Sequence, residues 1–224
     1  MIEVRDVTHG FAARDILRGV SATLTEHRIA VIGANGSGKS TFARLFNGLV
    51  VPREGEVLVD GLSTRSHAAE VRRAVGFVFT DPDAQIVMPT VAEDVAFGLR
   101  RRGLDREETR RRVFAAMSAV GLEIFADHPA HLLSGGQKQL LALCSVLVTE
   151  PRVLVCDEPT TLLDLRNTRR VLDILQGLPQ QVVMVTHDLD SVGGYDRVLV
   201  FDEGVLVADG PPATAVGHYR ALIG

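Results

Sequence analysis

The stretch from Ile29 to Ser40 constrains the fold of this 224-residue chain more than any other. Ile29-Ala-Val-Ile32 is a continuous apolar run, as expected of a strand buried on both faces. It runs directly into Gly33-Ala34-Asn35-Gly36-Ser37-Gly38-Lys39-Ser40, and a helical pattern follows, predicted from Lys39 to about Leu49. Strand, glycine-rich loop and helix in that order fit the pattern G-x-x-x-x-G-K-[ST] at every fixed position. Successive backbone N–H groups and a helix amino terminus form a fixed positive nest, so the ligand that suits the loop is a polyphosphate. Glycines at 33, 36 and 38 let the backbone curl closely around it. Lys39 is placed to reach the β- and γ-phosphates, and Ser40 to ligate Mg²⁺. An ordinary glycine-rich turn before a helix is the competing reading.

A second apolar run, Val153-Leu-Val-Cys156, ends in Asp157-Glu158. Ligand chemistry in parallel sheets collects at the carboxyl ends of strands, and two carboxylates there suit metal and water chemistry. Asp157 is expected to hold Mg²⁺ in its second shell, and Glu158 to polarise a water that attacks the γ-phosphate. By itself the pair reads equally well as a helix cap or a solvated turn. Further strands are predicted at Ile2 to Val7, Val20 to Leu24, Val57 to Val59 ending at Asp60-Gly61, Val75 to Phe79, Val182 to Val185, Val198 to Phe201 and Val205 to Ala208. A helix is predicted from Asp164 to Gln176. Between about Thr90 and Leu147 the pattern is helical. Val91, Val95 and Leu99 share a face, and a second helix spans Asp105 to Val120, opened by a capping-box-like Asp105 and Glu108. The fold class expected is therefore α/β: a phosphate-loop core with a mixed, largely parallel sheet, an N-terminal antiparallel β part and an inserted α-helical subdomain. The boundaries expected are 1–89 and 148–224 for the core and 90–147 for the insertion, within one domain.

Twenty-four basic and twenty-eight acidic residues leave a formal charge of −4, which provides no global field for nucleic acid or an anionic membrane. No signal peptide is visible at the amino terminus, and no run approaches the roughly eighteen apolar residues of a membrane span. Membrane association is then expected only through a partner. Cys144 and Cys156 sit in apolar runs and read as buried free thiols of a reducing compartment.

Leu133-Ser134-Gly135-Gly136-Gln137 is the most informative pentapeptide. Ser134 is a plausible N-cap, the glycines expose backbone N–H groups, and a helix continues through Leu140, Leu141, Cys144 and Leu147, so the segment reads as a second anion site. It resembles the signature sequence of the ABC ATPase family, which other phosphate-loop enzymes generally lack. The resemblance covers nearly the whole chain. It implies ATP and Mg²⁺ as ligands, hydrolysis coupled to transport, and a dimer in which Ser134 to Gln137 of one subunit face the phosphate loop, Gly33 to Thr41, of the other. It also assigns further positions in order. Gln85 resembles the glutamine that senses Mg²⁺ and links to the membrane subunit. Thr161-Leu-Leu-Asp164 resembles the D-loop, with drift from the usual Ser-Ala-Leu-Asp. His187 resembles the switch histidine at the γ-phosphate, and Phe11 stands where an adenine-stacking aromatic is expected, although it reads equally as core.

The run from Asp81 to Gly98, Asp-Pro-Asp-Ala-Gln-Ile-Val-Met-Pro-Thr-Val-Ala-Glu-Asp-Val-Ala-Phe-Gly, looks like the corresponding segment of energy-coupling-factor (ECF) vitamin and metal-ion importers. That likeness implies a T-type coupling protein and a substrate-binding S component as integral membrane partners. It also implies a place on the cytoplasmic face of the cell membrane. The chain stops soon after an Asp209-Gly210-Pro211 turn, a brevity more like biotin-transporter ATPases, with cobalt or nickel as the next choice. A homodimer is favoured because one chain carries every motif. A non-transport ABC ATPase acting on DNA or ribosomes is the alternative class; fused nucleotide domains, a coiled-coil insertion or a strongly basic surface would mark it, and none is visible. Arg100-Arg-Arg102, Arg106 and Arg110-Arg-Arg112 read as a solvated helical face, with lipid-headgroup contact as the alternative. Ile86 to Pro89 reads either as core packing or as a groove for a helix of the membrane partner.

Overall fold

The computed structural model describes residues 1–11, 14–100 and 102–224; the side chain of Phe11 and residue Arg101 lie outside the described set. Two compact units emerge: residues 1–75, 152–158 and 178–224 form the first, and residues 76–151 and 159–177 the second.

In the first unit, β1 (Ile2–Phe11) and β2 (Arg14–Leu24) pair antiparallel. Both run longer than the alternation predicts. The register shifts between Val4 and Val7, where Asp6 takes φ 46° and its N–H donates to Ser21 Oγ. This bulge resets the period of two, so a simple alternating pattern ends at Val7 while the strand continues. β3 (Arg28–Gly33) is buried at all six positions, as the apolar run requires. α1 (Lys39–Leu45) stops four residues short of the predicted Leu49. The chain turns at Gly48 (φ 68°), where a Cβ would lie 2.9 Å from the Thr64 carbonyl oxygen. A left-handed glycine thus ends the helix, and the approach of Thr64 leaves no room for a Cβ there.

β4 (Glu54–Val59) joins the antiparallel sheet, whose order is completed by the short β5 (Leu62–Ser63) across the Asp60–Gly61 turn: β2-β1-β4-β5. α2 (Ala68–Ala74) was not predicted; with seven residues and only Val71 and Ala74 buried, it has too little periodicity to be seen. β7 (Val153–Asp157), β8 (Gln181–Val185), β9 (Arg197–Asp202) and β10 (Val205–Gly210) join β3 in the order β10-β9-β3-β8-β7. β9, β3, β8 and β7 are parallel, and β10 is antiparallel to β9. The mixed, largely parallel sheet and the antiparallel N-terminal part are as expected. The chain does not turn at Asp209-Gly210-Pro211: β10 runs through Gly210, and Pro211 leads into α7 (Pro212–Ile223), a helix whose single buried side chain, Ala215, gives no apolar stripe to read. Phe42 of α1 is fully buried, 4.9 Å from the Phe46 ring and 4.7 Å from that of Phe201 on β9.

The second unit contains most of β6 (Val75–Val78) and four α-helices among its described residues: α3 (Val91–Phe97), α4 (Arg106–Ala119), α5 (Gly135–Leu147) and α6 (Leu165–Gly177). Val91, Val95 and Leu99 are buried on one face, as predicted. Asp105 caps α4 by accepting from the Glu108 N–H at 2.8 Å. The reciprocal half of a capping box is missing, because the Glu108 carboxylate is spent on Arg111 and Arg112. These are exposed surface pairs, which add little to stability. α5 buries Gln139 to Cys144 without interruption. Burial pushes the Cys144 thiol up to about 12 and the Cys156 thiol higher still, so both are free, protonated thiols in the core. No described helix is long and apolar enough to cross a membrane.

Candidate active site

The strand order β3-β8-β7 brings three carboxyl ends side by side. Both ladders run one residue further: the Thr186 N–H donates to the Val31 carbonyl and the Glu158 N–H to the Val185 carbonyl, each at 3.0 Å. Beyond this last bond Glu158 takes φ 51°. A left-handed conformation costs a residue with a Cβ roughly 1–2 kcal/mol, and such strain collects at functional sites. Glu158 Oε2 lies 3.3 Å from His187 Nδ1; the carboxylate is mostly buried and the imidazole mostly exposed.

The loop from Gly33 to Lys39 closes on itself through the Ser37 N–H and the Ala34 carbonyl at 3.2 Å. The Lys39 ammonium is buried and donates to the carbonyls of Gly33 (2.9 Å) and Ala34 (2.8 Å). Its pKa is lowered by burial, against the opposing pull of Glu158 and Asp157. Ser40 Oγ donates to Asp157 Oδ1 at 2.7 Å, and the Arg44 guanidinium reaches Asp157 Oδ2 at 3.1 Å. The loop, Ser40, Asp157, Glu158 and His187 are therefore brought together within one unit. The Ser40 hydroxyl and Asp157 carboxylate are hard oxygen donors, the set that suits Mg²⁺, which uses one or two protein oxygens alongside water and phosphate.

A cleft of about 750 Å³ opens over residues 34–41, with Glu158 on its wall. Arg14, Arg18, Glu203 and Gly204 also line it, and nothing in the sequence motifs points to any of the four. Gly204 sits in the turn between β9 and β10. Its N–H donates to the Ser37 carbonyl, and its own carbonyl accepts from the Arg18 N–H, both at 3.0 Å. The anion-binding loop is thus wedged between β2 and this turn. A Cβ at Gly38 would lie 2.8 Å from the Ile16 carbonyl oxygen, so the tight fit itself demands glycine there.

Gln85, Ser134, Gly135, Gly136, Gln137 and Asp164 belong to the second unit. Ser134 and Gln137 form a reciprocal capping box: Ser134 N–H to Gln137 Oε1 at 2.8 Å, and Gln137 N–H to Ser134 Oγ at 3.4 Å. Gly135 is exposed with open space where a Cβ would stand. Asp164 caps α6 through the Asn167 N–H (2.8 Å) and also accepts from its side-chain amide (3.1 Å). That amide lies against Gly136, so close that a Cβ there would be 2.4 Å away. Asn167, which sequence reasoning missed, therefore joins the predicted Asp164 to the predicted Gly136. The Gln85 amide is engaged at both ends, accepting from the Phe79 N–H (3.2 Å) and donating to the Ala142 carbonyl on α5 (3.1 Å). The stacking expected of Phe11 falls on a side chain outside the described residues.

Residues 17–161 match the family described as ABC transporter. The chain is 49% identical to the biotin transport ATP-binding protein BioM of Rhizobium etli, over 95% of this chain and 94% of that one. It is 43% identical to the cobalt import ATP-binding protein CbiO of Syntrophus aciditrophicus, over 95% of this chain and 79% of that one. Among solved structures, the dimeric post-hydrolysis state of the ATP-binding cassette MJ0796 with ADP and Pi superposes with a TM-score of 0.84 at 28% identity, over 95% of this chain and 99% of that one.

Gly204 yields a test that no motif would suggest. At φ 84°, with a Cβ only 2.4 Å from the Ile16 carbonyl oxygen, Gly204→Ala is expected to cost about 1–3 kcal/mol of stability. It should also weaken nucleotide binding several-fold by shifting the loop held through Ser37. Denaturant titration and titration with a fluorescent nucleotide check both; unchanged binding would separate the turn from the site.

Proposed function

The chain belongs to the ABC transporter family, and from that premise we propose that it is the ATP-hydrolysing subunit of an ECF-type importer carrying biotin. The observation that carries the hydrolytic part is the convergence, at three adjacent strand ends, of an anion-binding loop, the Ser40–Asp157 oxygen pair and Glu158. The loop N–H groups and Lys39 hold the β- and γ-phosphates of ATP. Ser40 and Asp157 would hold Mg²⁺, which would supply neutralisation of phosphate charge. Glu158 takes the proton of the attacking water as its oxygen bonds to the γ-phosphorus, and the bond to the ADP oxygen breaks, giving ADP and phosphate. His187, bonded to Glu158, contacts the γ-phosphate. Phe11 stacks on the adenine.

Two cassettes form a homodimer, as the dimeric cassette MJ0796 does. Ser134, Gly135, Gly136 and Gln137 of one subunit then close over the phosphates held by the other, with Asp164 contributing across the interface. Residues 90–147 act as the helical signature subdomain, and 1–89 with 148–224 as the core. The dimer works on the cytoplasmic face beneath a T-type coupling protein and a substrate-binding S component, and Gln85 links its site to them. The exposed Val87, at 60%, favours a docking role for Ile86 to Pro89 over core packing. Biotin is preferred as cargo because the biotin relative is the more similar of the two importers compared.

Glu158→Gln is expected to bind ATP yet lose about 10²- to 10⁴-fold in turnover and to accumulate as an ATP-bound dimer. Near-parental phosphate release would remove Glu158 from its role. Mixing Lys39→Ala chains with Ser134→Arg chains, each inactive alone, should restore part of the ATPase activity, because one of the two shared sites is then intact. Mixed dimers without activity would count against shared sites. Val87→Glu should leave ATPase activity of the isolated subunit near parental while abolishing co-purification with the membrane proteins or biotin uptake. Loss of activity in the isolated subunit would instead assign Val87 to packing.

A further inference from the structure

One buried carboxylate has no part in the hydrolytic site. Asp94, on α3 in the second unit, is only 3% exposed. Its Oδ1 accepts from the Val87 N–H (2.8 Å) and the Met88 N–H (3.0 Å), and its Oδ2 accepts from Ser145 Oγ on α5 (2.8 Å). A buried carboxylate is tolerated only when its oxygens are satisfied, and three donors do so here. The donors are unlike one another in origin. Two are backbone groups of the exposed apolar loop, and the third stands on the helix that begins at Ser134.

The same loop is tied to the other flank of that helix. The Ala130 N–H donates to the Pro89 carbonyl at 2.8 Å, and Thr90 pairs with Pro129 in an isolated β-bridge. Residues 129 and 130 lead directly into Leu133 and Ser134. The loop carrying Val87 is therefore bonded to the chain just before the signature segment and, through Asp94, to the body of the helix just after it. Such bonds make a loop and a helix move as one piece, because displacing either alone would strand a buried charge.

We infer that Asp94 is a positioning residue that fixes the exposed 87–88 loop to α5, so that any shift of the signature segment is delivered to the loop. The role rests on the reading of residues 86–89 as the contact for the membrane partner. Only the delivery of motion depends on that reading; the pin itself does not.

Three variants test it in the full transporter and in the isolated subunit. Asp94→Ala removes all three bonds. Asp94→Asn keeps them, since its amide oxygen accepts from the two N–H groups and its amide nitrogen donates to Ser145. Ser145→Ala cuts only the link to α5. In the isolated subunit, Asp94→Ala should raise hydrogen exchange at the Val87 and Met88 amides about tenfold or more, while basal ATPase activity stays near parental. In the transporter it should lower uptake per ATP hydrolysed, and Asp94→Asn should restore both. Ser145→Ala should lower uptake per ATP with the two amides still protected, a result available even if Asp94→Ala fails to fold. Unchanged exchange in Asp94→Ala, or unchanged uptake per ATP in Ser145→Ala, overturns the inference. Val87→Glu separates the two failures. If it uncouples transport and the Asp94 and Ser145 variants do not, the pin is wrong and the docking reading stands. If it leaves transport intact, the docking reading falls and the delivery of motion falls with it, while the pin is decided by the amide exchange of Asp94→Ala.

Discussion

The Asp157 carboxylate is fully buried at the end of β7, and much of the first unit is arranged to satisfy it. A carboxylate in that position is stable only with donors on both oxygens, and hydrogen bonds to a charged group contribute roughly 1.5–3 kcal/mol each. Ser40 supplies one at the start of α1, and Arg44, one helical turn later, supplies the other. These bonds fix how α1 lies against the sheet, and α1 in turn fixes where the phosphate loop points. The carboxylate and hydroxyl that meet for structural reasons are also the hard oxygens a divalent cation requires. Stability and the proposed chemistry use the same atoms.

A second constraint is the left-handed backbone at Glu158. The ladder between β7 and β8 holds the residue until its N–H is bonded, and the strained dihedral then turns the chain away at the sheet edge. Its carboxylate is left on the wall of the cleft beside His187 rather than in the core with Asp157. Two adjacent acids thereby acquire opposite surroundings, one sealed and one facing the cleft. That difference fits the separate roles proposed for them, one toward a metal and its neighbour toward water.

The second unit follows a similar logic around α5. α5 is apolar along most of its length, and long-range side chains attach to it or press on it: Gln85 on the Ala142 carbonyl, Asp94 on Ser145, Asp83 on Lys138, and Asn167 against Gly136. Gln85 and Asp94 connect the helix to residues 85–89, and Asn167 connects it to the Asp164 turn, both segments with a proposed role in communication. Buried polar groups in an apolar environment tolerate few alternative arrangements, which makes them suitable for transmitting displacement.

By itself the sequence determined the features set by near neighbours. The apolar runs of β3, β7 and β8, the phosphate loop, the Ser134 and Asp105 caps and the α3 stripe all follow from periodicity or from side chains bonding N–H groups within one turn. Motifs also named the site residues of the core, but the strand order β3-β8-β7 is what brings Ser40, Asp157, Glu158 and His187 together. Tertiary structure alone decided what depends on a distant chain returning. The approach of Thr64 leaves no room for a Cβ at Gly48 after α1, and the Asp6 bulge extends β1 past its visible pattern. Arg14, Arg18, Glu203 and Gly204 reach the cleft only because β2 and the β9–β10 turn close on the loop. Asp94 and Asn167 read as ordinary polar residues of helices until packing buries one and presses the other against a glycine. Local patterns record bonds a few residues long; close approach, burial and strain arise only once the chain has folded back on itself.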